Sequence, residues 1–474
     1  MIQWRKEMKI YNSMTRRKEE FIPVHESKVN IYVCGPTVYN YFHIGNARPF
    51  VVFDTLRRFF KYIGYEVKFV QNFTDVDDKI INKAKEEQLP ALEVSEKYIK
   101  EYFNDAQALN VIKADVHPKV SEHIEDIIEF IGTLIDKGYA YEADGDVYYS
   151  TRKFPEYGKL SGQNIDDLES GARIAIGEVK KDPLDFALWK AQKADGEIAW
   201  ESPWGKGRPG WHIECSTMSK KHLGTTIDIH GGGQDLKFPH HENEIAQSEA
   251  CNCAPFAKYW MHNGYIMVDG EKMSKSLNNF FTVRDIRKEY DGDFIRFFLL
   301  SVQYRGPINF SDEGMKQVKQ GYDRLVNAEE TLEFLVSNGY DGMTKKEEQT
   351  AKSFEDYKDK FIECMSDDLN TAGAIGAIFE LVSAINVEIE GGASKEFAEK
   401  ALSMIQELAD VLGVLQRSQD DTIGDDIRRL VDERQQARKE KDWVRADEIR
   451  DQLSSMGYIL KDTPQGVQII KADA

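Results

Sequence analysis

The sequence predicts an α/β protein in which a parallel-sheet domain, split by an insertion, is followed by an α-helical bundle and a small C-terminal α+β region. Three observations carry this expectation. Residues 29–71 read strand, helix, strand; sheet character returns only at 226–230; and from Asp291 onward the apolar spacing becomes helical.

An alternating, β-branched run at 29–33 stops at Gly35-Pro36, and an amphipathic helix runs from Asn46 through Val52, Leu56 and Phe59 to Gly64. A second strand follows at 66–71, so the pair should be parallel with a right-handed crossover, as in a Rossmann-like, doubly wound sheet. Cys34 then lies at the carboxyl end of the first strand, with His43, Gly45 and Asn46 at the start of the helix. Such sheets bind ligands there.

The stretch after Asn72 reads as helical to about Asn110, and its Thr74-Asp75 fits either a ligand contact or a plain helix N-cap. Between His117 and Lys193 the character changes to a helix at 121–137, a hairpin signal at Asp144-Gly145 and tyrosine-rich short strands. This is the predicted insertion. The strand at 226–230 leads into Gly231-Gly232-Gly233-Gln234-Asp235, a ligand-facing turn. A short strand pair (264–268) and a polar loop (269–279) precede helices whose apolar residues recur three and four apart at 294–302, 318–335 and 375–387. Beyond a polar linker at 418–421 come helices at 427–441 and 444–456, a Gly457 stop and two strands at 458–461 and 466–470. The implied divisions are 1–116 and 196–265 for the two halves of the sheet domain, 117–195 for the insertion, 266–320 for a loop and stem region, 321–417 for the bundle and 418–474 for the tail.

The 474 residues are too many for one ordinary core, and 41% hydrophobic with 30% charged residues describes a soluble globular chain. No apolar run approaches the ~18 residues needed to span a membrane, and residues 1–10 are charged and lack a signal-peptide core. A cytoplasmic protein is expected, with no membrane partner. The net charge of −19 argues against broad nucleic-acid binding but not against a local basic groove. Cys34, Cys215, Cys251, Cys253 and Cys364 are odd in number and scattered, unlike a disulfide framework.

Two constellations can carry chemistry. In His240-His241-Glu242-Asn243-Glu244, helical geometry puts His240 and Glu244 on one face, and Cys34 and Cys215 each fall where a strand or its loop would end. Two thiolates, an imidazole and a carboxylate are a fitting donor set for Zn²⁺. The same residues would equally serve as buried small hydrophobes and cleft-lining histidines. A protease His-Glu-x-x-His helix is excluded, because Ile245 stands where its second histidine should be. The second constellation is Glu271-Lys272-Met273-Ser274-Lys275-Ser276-Leu277-Asn278, whose lysines could follow the charge developing on phosphates or form an ordinary basic turn.

Taken together and in this order, His43-Ile-Gly-Asn46 and Lys272-Met-Ser-Lys-Ser276 resemble the two signatures of class I aminoacyl-tRNA synthetases. Cys34, Gly210-Trp-His-Ile-Glu-Cys215, Asp228-Ile-His-Gly-Gly-Gly and Phe238-Pro-His-His-Glu-Asn-Glu244 are similar to the cysteinyl-tRNA synthetase branch, and the resemblance extends to 434–458 in the tail. It implies one Zn²⁺ held by Cys34, Cys215, His240 and Glu244. It also implies ATP with Mg²⁺ contacted by His43, Gly45, Asn46, Gly232, Asp235, Lys272, Ser274, Lys275 and Ser276, of which His43, Asn46, Lys272 and Lys275 stabilise the transition state. Cys34, Thr74, Trp211 and His230 would line the amino-acid pocket, and the tail would read the anticodon of tRNA(Cys) through Arg434, Arg438, Trp443 and Arg445. One departure stands out. Asn46 replaces the last histidine of the commoner His-x-Gly-His form, so it can donate a hydrogen bond but carry no charge.

The resemblance implies a monomer that takes ATP, L-cysteine and tRNA(Cys). An apolar pocket separates near-isosteres such as cysteine and serine poorly, whereas a zinc ion prefers the softer, more acidic thiol. The insertion is short for an editing module, which fits selection at binding. Two other readings compete. One is an ATP-dependent ligase that joins cysteine to a small amino sugar, which would need neither bundle nor basic tail. The other is a non-catalytic RNA-binding protein, which would leave both ATP motifs idle. In the tail, interspersed Asp432, Glu433, Glu440 and Asp442 would also suit a solvated, ion-paired helix.

Overall fold

A computed structural model describes residues 7–164, 179–194, 196–272, 280–416, 425–463 and 466–471. The chain forms two compact units, one of residues 1–311 with 366–370, the other of 312–365 with 371–474.

The first unit is built on a four-stranded sheet whose order is Ala257–Asn263, Ile227–Gly233, Lys28–Val33, Glu66–Gln71, every neighbouring pair parallel. Val29, Ile31, Tyr32 and Val33 are fully buried, as expected of a central parallel strand covered on both faces. The helix Ile44–Tyr62 packs along it through Phe50, Val51, Phe53, Leu56 and Phe59. Its one buried acid, Asp54, is matched by Arg296 at 2.7 Å and Arg58 at 2.8 Å. Gly35 ends the central strand because Asn72 crosses there. A Cβ at position 35 would lie 1.6 Å from the Asn72 carbonyl oxygen, a separation only glycine avoids.

The strand Ala257–Asn263 is absent from the sequence reading, which starts its strand pair at residue 264. The stretch predicted helical from Asn72 to Asn110 is two helices, Asp78–Glu87 and Ala91–Ala108, separated at Pro90, which has no amide proton to continue the ladder. The insertion carries the helix Ile124–Asp136 and an antiparallel sheet in the order Ala140–Ala143, Asp146–Tyr149, Phe186–Ala191, Gly207–Pro209. Asp144 and Gly145 both take positive φ, as a two-residue hairpin requires. The last of these strands lies beyond residue 195, so the insertion's sheet runs past the division drawn from sequence.

In the second unit the helices Asp312–Asn338, Lys345–Lys352, Thr371–Ile389 and Lys395–Leu412 pack through Leu325, Leu332, Ile378, Leu381, Ile405 and Leu408. Thr371–Ile389 is, among the described residues, the helix long and apolar enough to cross a membrane by length and composition. This corrects the expectation from sequence that no apolar run approaches that length. Ala374, Ile375, Ala377, Ile378, Leu381, Val382 and Ile385 are buried in this helix, as in the core helix of a bundle. The tail folds around Ile427, Val431, Ile449 and Leu453, with the helices Asp425–Lys439 and Trp443–Ser455 backed by the hairpin of Tyr458–Thr463 and Gly466–Lys471.

Candidate metal and nucleotide site

Four chain segments converge at the carboxyl end of the central sheet. Cys34 follows the strand Lys28–Val33, Cys215 belongs to the helix Trp211–Leu223, His240 lies in the tight turn after Ile227–Gly233, and Glu244 is in the first turn of Glu242–Asn252. All four are buried. The two sulfurs are 3.7 Å apart, Cys34 Sγ is 3.4 Å from Glu244 Oε1, and His240 Nε2 is 3.0 Å from the same oxygen. A tetrahedral zinc with bonds of ~2.3 Å to sulfur and ~2.0 Å to nitrogen or oxygen needs its ligand atoms about 3.3–3.8 Å apart. The two sulfur contacts have this spacing, the His240–Glu244 pair is tighter, and the set mixes the soft and hard donors that zinc accepts.

Around it sits a layer of histidines that sequence spacing does not reveal. His230 Nε2 is 2.7 Å from Glu244 Oε2, while its Nδ1 faces the Tyr32 carbonyl at 3.2 Å. His241 Nε2 is 3.4 Å from Cys34 Sγ, and its Nδ1 continues to His262 at 2.9 Å and on to Ser13 Oγ. His212 Nδ1 is 2.8 Å from His240 Nδ1. Cys34, His230, His241 and Glu244 thus form a second set whose donor atoms lie within 4.8 Å of one another, sharing two members with the first. The set with both cysteines offers the softer donors. His241, adjacent to His240 in sequence, is the one of these that the His-His run could have suggested.

The charges of the cluster are coupled across its four members. Burial works to raise Glu244, but His230 and His240 hold it well below the ordinary carboxylate range. Burial likewise disfavours the His240 cation, yet Glu244 and Cys215 raise that imidazole to about 10. Cys215 is brought down to about 6 against its burial by hydrogen bonds from Cys34 and His240, while burial and the neighbouring Cys215 push Cys34 up. Burial leaves His241 and His212 well below the usual imidazole value.

Above the cluster opens a cleft of about 370 Å³ whose lining includes Cys34, His43, Gly45, Asn46, Trp211 and Asp235. His43 caps the helix Ile44–Tyr62, and Gly45 and Asn46 are in its first turn, where the Asn46 amide donates to His43 O at 2.9 Å. Trp211 is 40% exposed and stacks on His240 with ring centroids 4.3 Å apart. The backbone of Lys272 ends the short strand Glu271–Lys272, whereas Ser274, Lys275 and Ser276 lie outside the described residues. The far foot of their loop is fixed against the first motif. Ile44 N–H donates to Phe281 O, Val283 N–H donates to Phe42 O, and the rings of Phe280 and His43 are 4.7 Å apart. Gly232 is set back from the cleft against the His241 ring, and His230 is fully buried behind Glu244. Thr74 is also buried, its hydroxyl donating to Glu214 at 2.7 Å.

In the tail, Arg434 is 7% exposed and shares Asp462 with Arg438, while Arg445 pairs with Glu433 and Glu448. Arg434 thus serves the tail's own packing, and Trp443, 58% exposed, presents its ring to solvent.

Residues 20–320 match the model of the class I (C) tRNA synthetase catalytic domain, 360–416 the DALR domain, and 420–469 the cysteinyl-tRNA ligase anticodon binding domain. A cysteine–tRNA ligase of Clostridioides difficile (strain 630) is 58% identical over 462 residues, spanning 97% of this chain and 99% of that protein. The chain belongs to the cysteine–tRNA ligase family. At the level of fold, this ligase chain is similar to a Mycobacterium tuberculosis methionyl-tRNA synthetase in complex with methionyl-adenylate (TM-score 0.60, 14% identity, 81% of this chain and 89% of that one). It is also similar to the LeuRS of a ternary complex with tRNA from Agrobacterium radiobacter K84 (TM-score 0.59, 12% identity, 83% and 85%). The class I architecture, a parallel-sheet catalytic domain with helical regions and a C-terminal anticodon-binding region, is that of the sequence expectation.

Proposed function

We propose that the chain joins L-cysteine to tRNA(Cys) at the expense of ATP and selects its amino acid at a zinc ion held by Cys34, Cys215, His240 and Glu244. Membership of the cysteine–tRNA ligase family supports the reaction. The observation that carries the selection step is a buried donor set, one of whose members, Cys34, also lines the cleft that His43, Gly45 and Asn46 line. When bound there, zinc would supply affinity for a thiolate that the hydroxyl of serine cannot match.

In the first half-reaction the cysteine carboxylate attacks the α-phosphorus of ATP, the bond to the bridging oxygen breaks, and pyrophosphate leaves; Mg²⁺, when bound, would offset phosphate charge. His43, Asn46, Lys272 and Lys275 stabilise the charge that develops, so that positioning and electrostatics suffice and no protein nucleophile is needed. Gly45, Asp235, Ser274 and Ser276 complete the ATP contacts, and Trp211 closes the amino-acid side. In the second half-reaction the terminal 2′-hydroxyl of the tRNA attacks the cysteinyl carbonyl of the adenylate, the acyl–phosphate bond breaks, and AMP and the hydroxyl proton leave. The tail reads the anticodon, with the exposed Trp443 ring as a stacking face for an unpaired base. Cysteine-dependent exchange of pyrophosphate into ATP, followed by charging of tRNA(Cys), tests the reading. Exchange driven equally by serine, or a failure to charge the tRNA, would defeat it.

A further inference from the structure

Away from the cleft, two histidines 99 positions apart in the chain meet where the insertion packs on the sheet domain. His123 is the N-cap of the helix Ile124–Asp136, and His222 stands in the last turn of Trp211–Leu223. The two helices touch there, with Lys220 Nζ 5.3 Å from the centre of the Phe130 ring and Lys221 Nζ 2.8 Å from Asp126 Oδ1. The Nε2 atoms of the two imidazoles are 3.0 Å apart. His123 is 9% exposed and His222 half-buried, so the pair lies at the edge of the packed interface and not in a core.

Hydrogen bonding decides which nitrogens can act. His123 Nδ1 faces the Lys119 carbonyl at 2.7 Å, and a carbonyl only accepts, so Nδ1 carries the proton and Nε2 presents a lone pair. Ligand histidines are commonly held in this way, one ring nitrogen donating to a backbone carbonyl while the other faces the ion. Burial, and then the neighbouring His123, lower His222 below the ordinary imidazole value, so above about pH 7 it is neutral and also has a lone pair to give. The two Nε2 atoms can share either one hydrogen, supplied by His222, or one cation. The charges around them are mixed. Lys68, whose Nζ donates to the His222 carbonyl at 2.6 Å, and Lys221 oppose a cation, and Asp126 favours one.

The separation also bears on which ion fits. Bonds of about 2.0–2.1 Å from both nitrogens to one ion would subtend roughly 95° across 3.0 Å. That is near the right angle of square-planar or octahedral Cu²⁺ and Ni²⁺ and tighter than the ~109° of tetrahedral zinc.

We propose that His123 and His222 form a second transition-metal site, which takes a divalent ion of square-planar or octahedral preference with water in its other positions and ties the insertion helix to the helix that carries Cys215. The site goes beyond the cysteine-selecting reading and shares no residue with it.

The test titrates Ni²⁺ into tag-free, full-length protein already holding one equivalent of zinc, by isothermal titration and by thermal melting. Wild type should bind one further Ni²⁺ per chain and melt at a higher temperature with it. His222→Gln keeps a side-chain N–H that can donate to His123 Nε2 but offers no imidazole. It should bind Ni²⁺ at least tenfold more weakly and melt at one temperature with or without it, while zinc content and pyrophosphate exchange stay at the wild-type level. His123→Asn, whose side chain suits an N-cap, should show the same loss, which keeps the test decisive if one variant folds poorly. Wild type that takes up no Ni²⁺ beside its zinc would leave the pair a plain hydrogen bond and overturn the proposal. Either folded variant binding Ni²⁺ as wild type does would put the ion elsewhere and overturn it too.

Discussion

Loading the cluster with zinc at pH 8 should expel about two protons. The number follows from the ionisation of the four ligands before the metal arrives. His240, raised to about 10, still holds its proton, and Cys34, pushed up by burial, is still a thiol. Cys215, lowered to about 6, is already a thiolate, and Glu244, held well below its ordinary value, is already a carboxylate. Zinc binds only the deprotonated forms, so it displaces one proton from His240 and one from Cys34. The apparent affinity should therefore rise about a hundredfold per pH unit between roughly 7 and 9, and more steeply, toward a thousandfold, below about 6, where Cys215 also carries a proton. Isothermal titration in two buffers of different ionisation enthalpy measures the count, and His240→Ala should lower it by about one. A count near zero would mean that the cluster is already fully deprotonated and would refute the electrostatics described above; two ordinary thiols would also release about two protons at pH 8, so it is an unchanged count in His240→Ala that would show the His240–Glu244 arrangement does not exist in solution. The same shift has a consequence for the metal-free protein. Because His240 is raised on folding, the stability it contributes is fully present below pH 6.5 and is lost as the pH climbs toward about 10. Thermal melting of stripped protein across that window should show the decline, and zinc-loaded protein should not.

Trp443→Ala removes an exposed ring proposed to stack on an unpaired base. It should weaken tRNA charging by about 1–3 kcal/mol in kcat/KM while leaving cysteine-dependent pyrophosphate exchange at the wild-type rate. Loss of exchange would show that the ring is structural. Ile449→Ala empties a fully buried position in the small core of the tail and should cost about 2–5 kcal/mol there, seen as early protease cleavage after residue 413 with exchange retained. Arg296→Met removes the fully buried cation from Asp54 and leaves it Arg58 and the Ile112 amide, so the melting transition should lose about 3–5 kcal/mol, and a variant as stable as wild type would contradict the assigned pairing.

Much of this was legible locally. The strand at 28–33 and the helix after it announce themselves through β-branched alternation, a Gly-Pro stop and a 3.6-residue apolar period, each of which needs only a dozen neighbouring residues to read. His240 and Glu244 fall four apart, so their proximity is also a local property. What escaped depends on partners far away in the chain. The strand Ala257–Asn263 mixes Tyr259, Trp260, Met261 and His262 without a clear period, and its identity comes from pairing with Ile227–Gly233. The relay from His241 through His262 to Ser13 joins residues up to 249 positions apart, and no spacing rule reaches that far. Arg434 misleads in the opposite way. A basic residue on a charged helix reads as a phosphate contact, but Asp462 on a later strand folds back to cover it.

The central claim is that four buried donors hold the cation that recognises a sulfur. The most direct measurement is cysteine against serine preference in pyrophosphate exchange, before and after chelator treatment and again after zinc is restored. The account predicts a strong preference for cysteine that disappears with the metal and returns with it. Metal-free protein that still prefers cysteine by the original factor would contradict it.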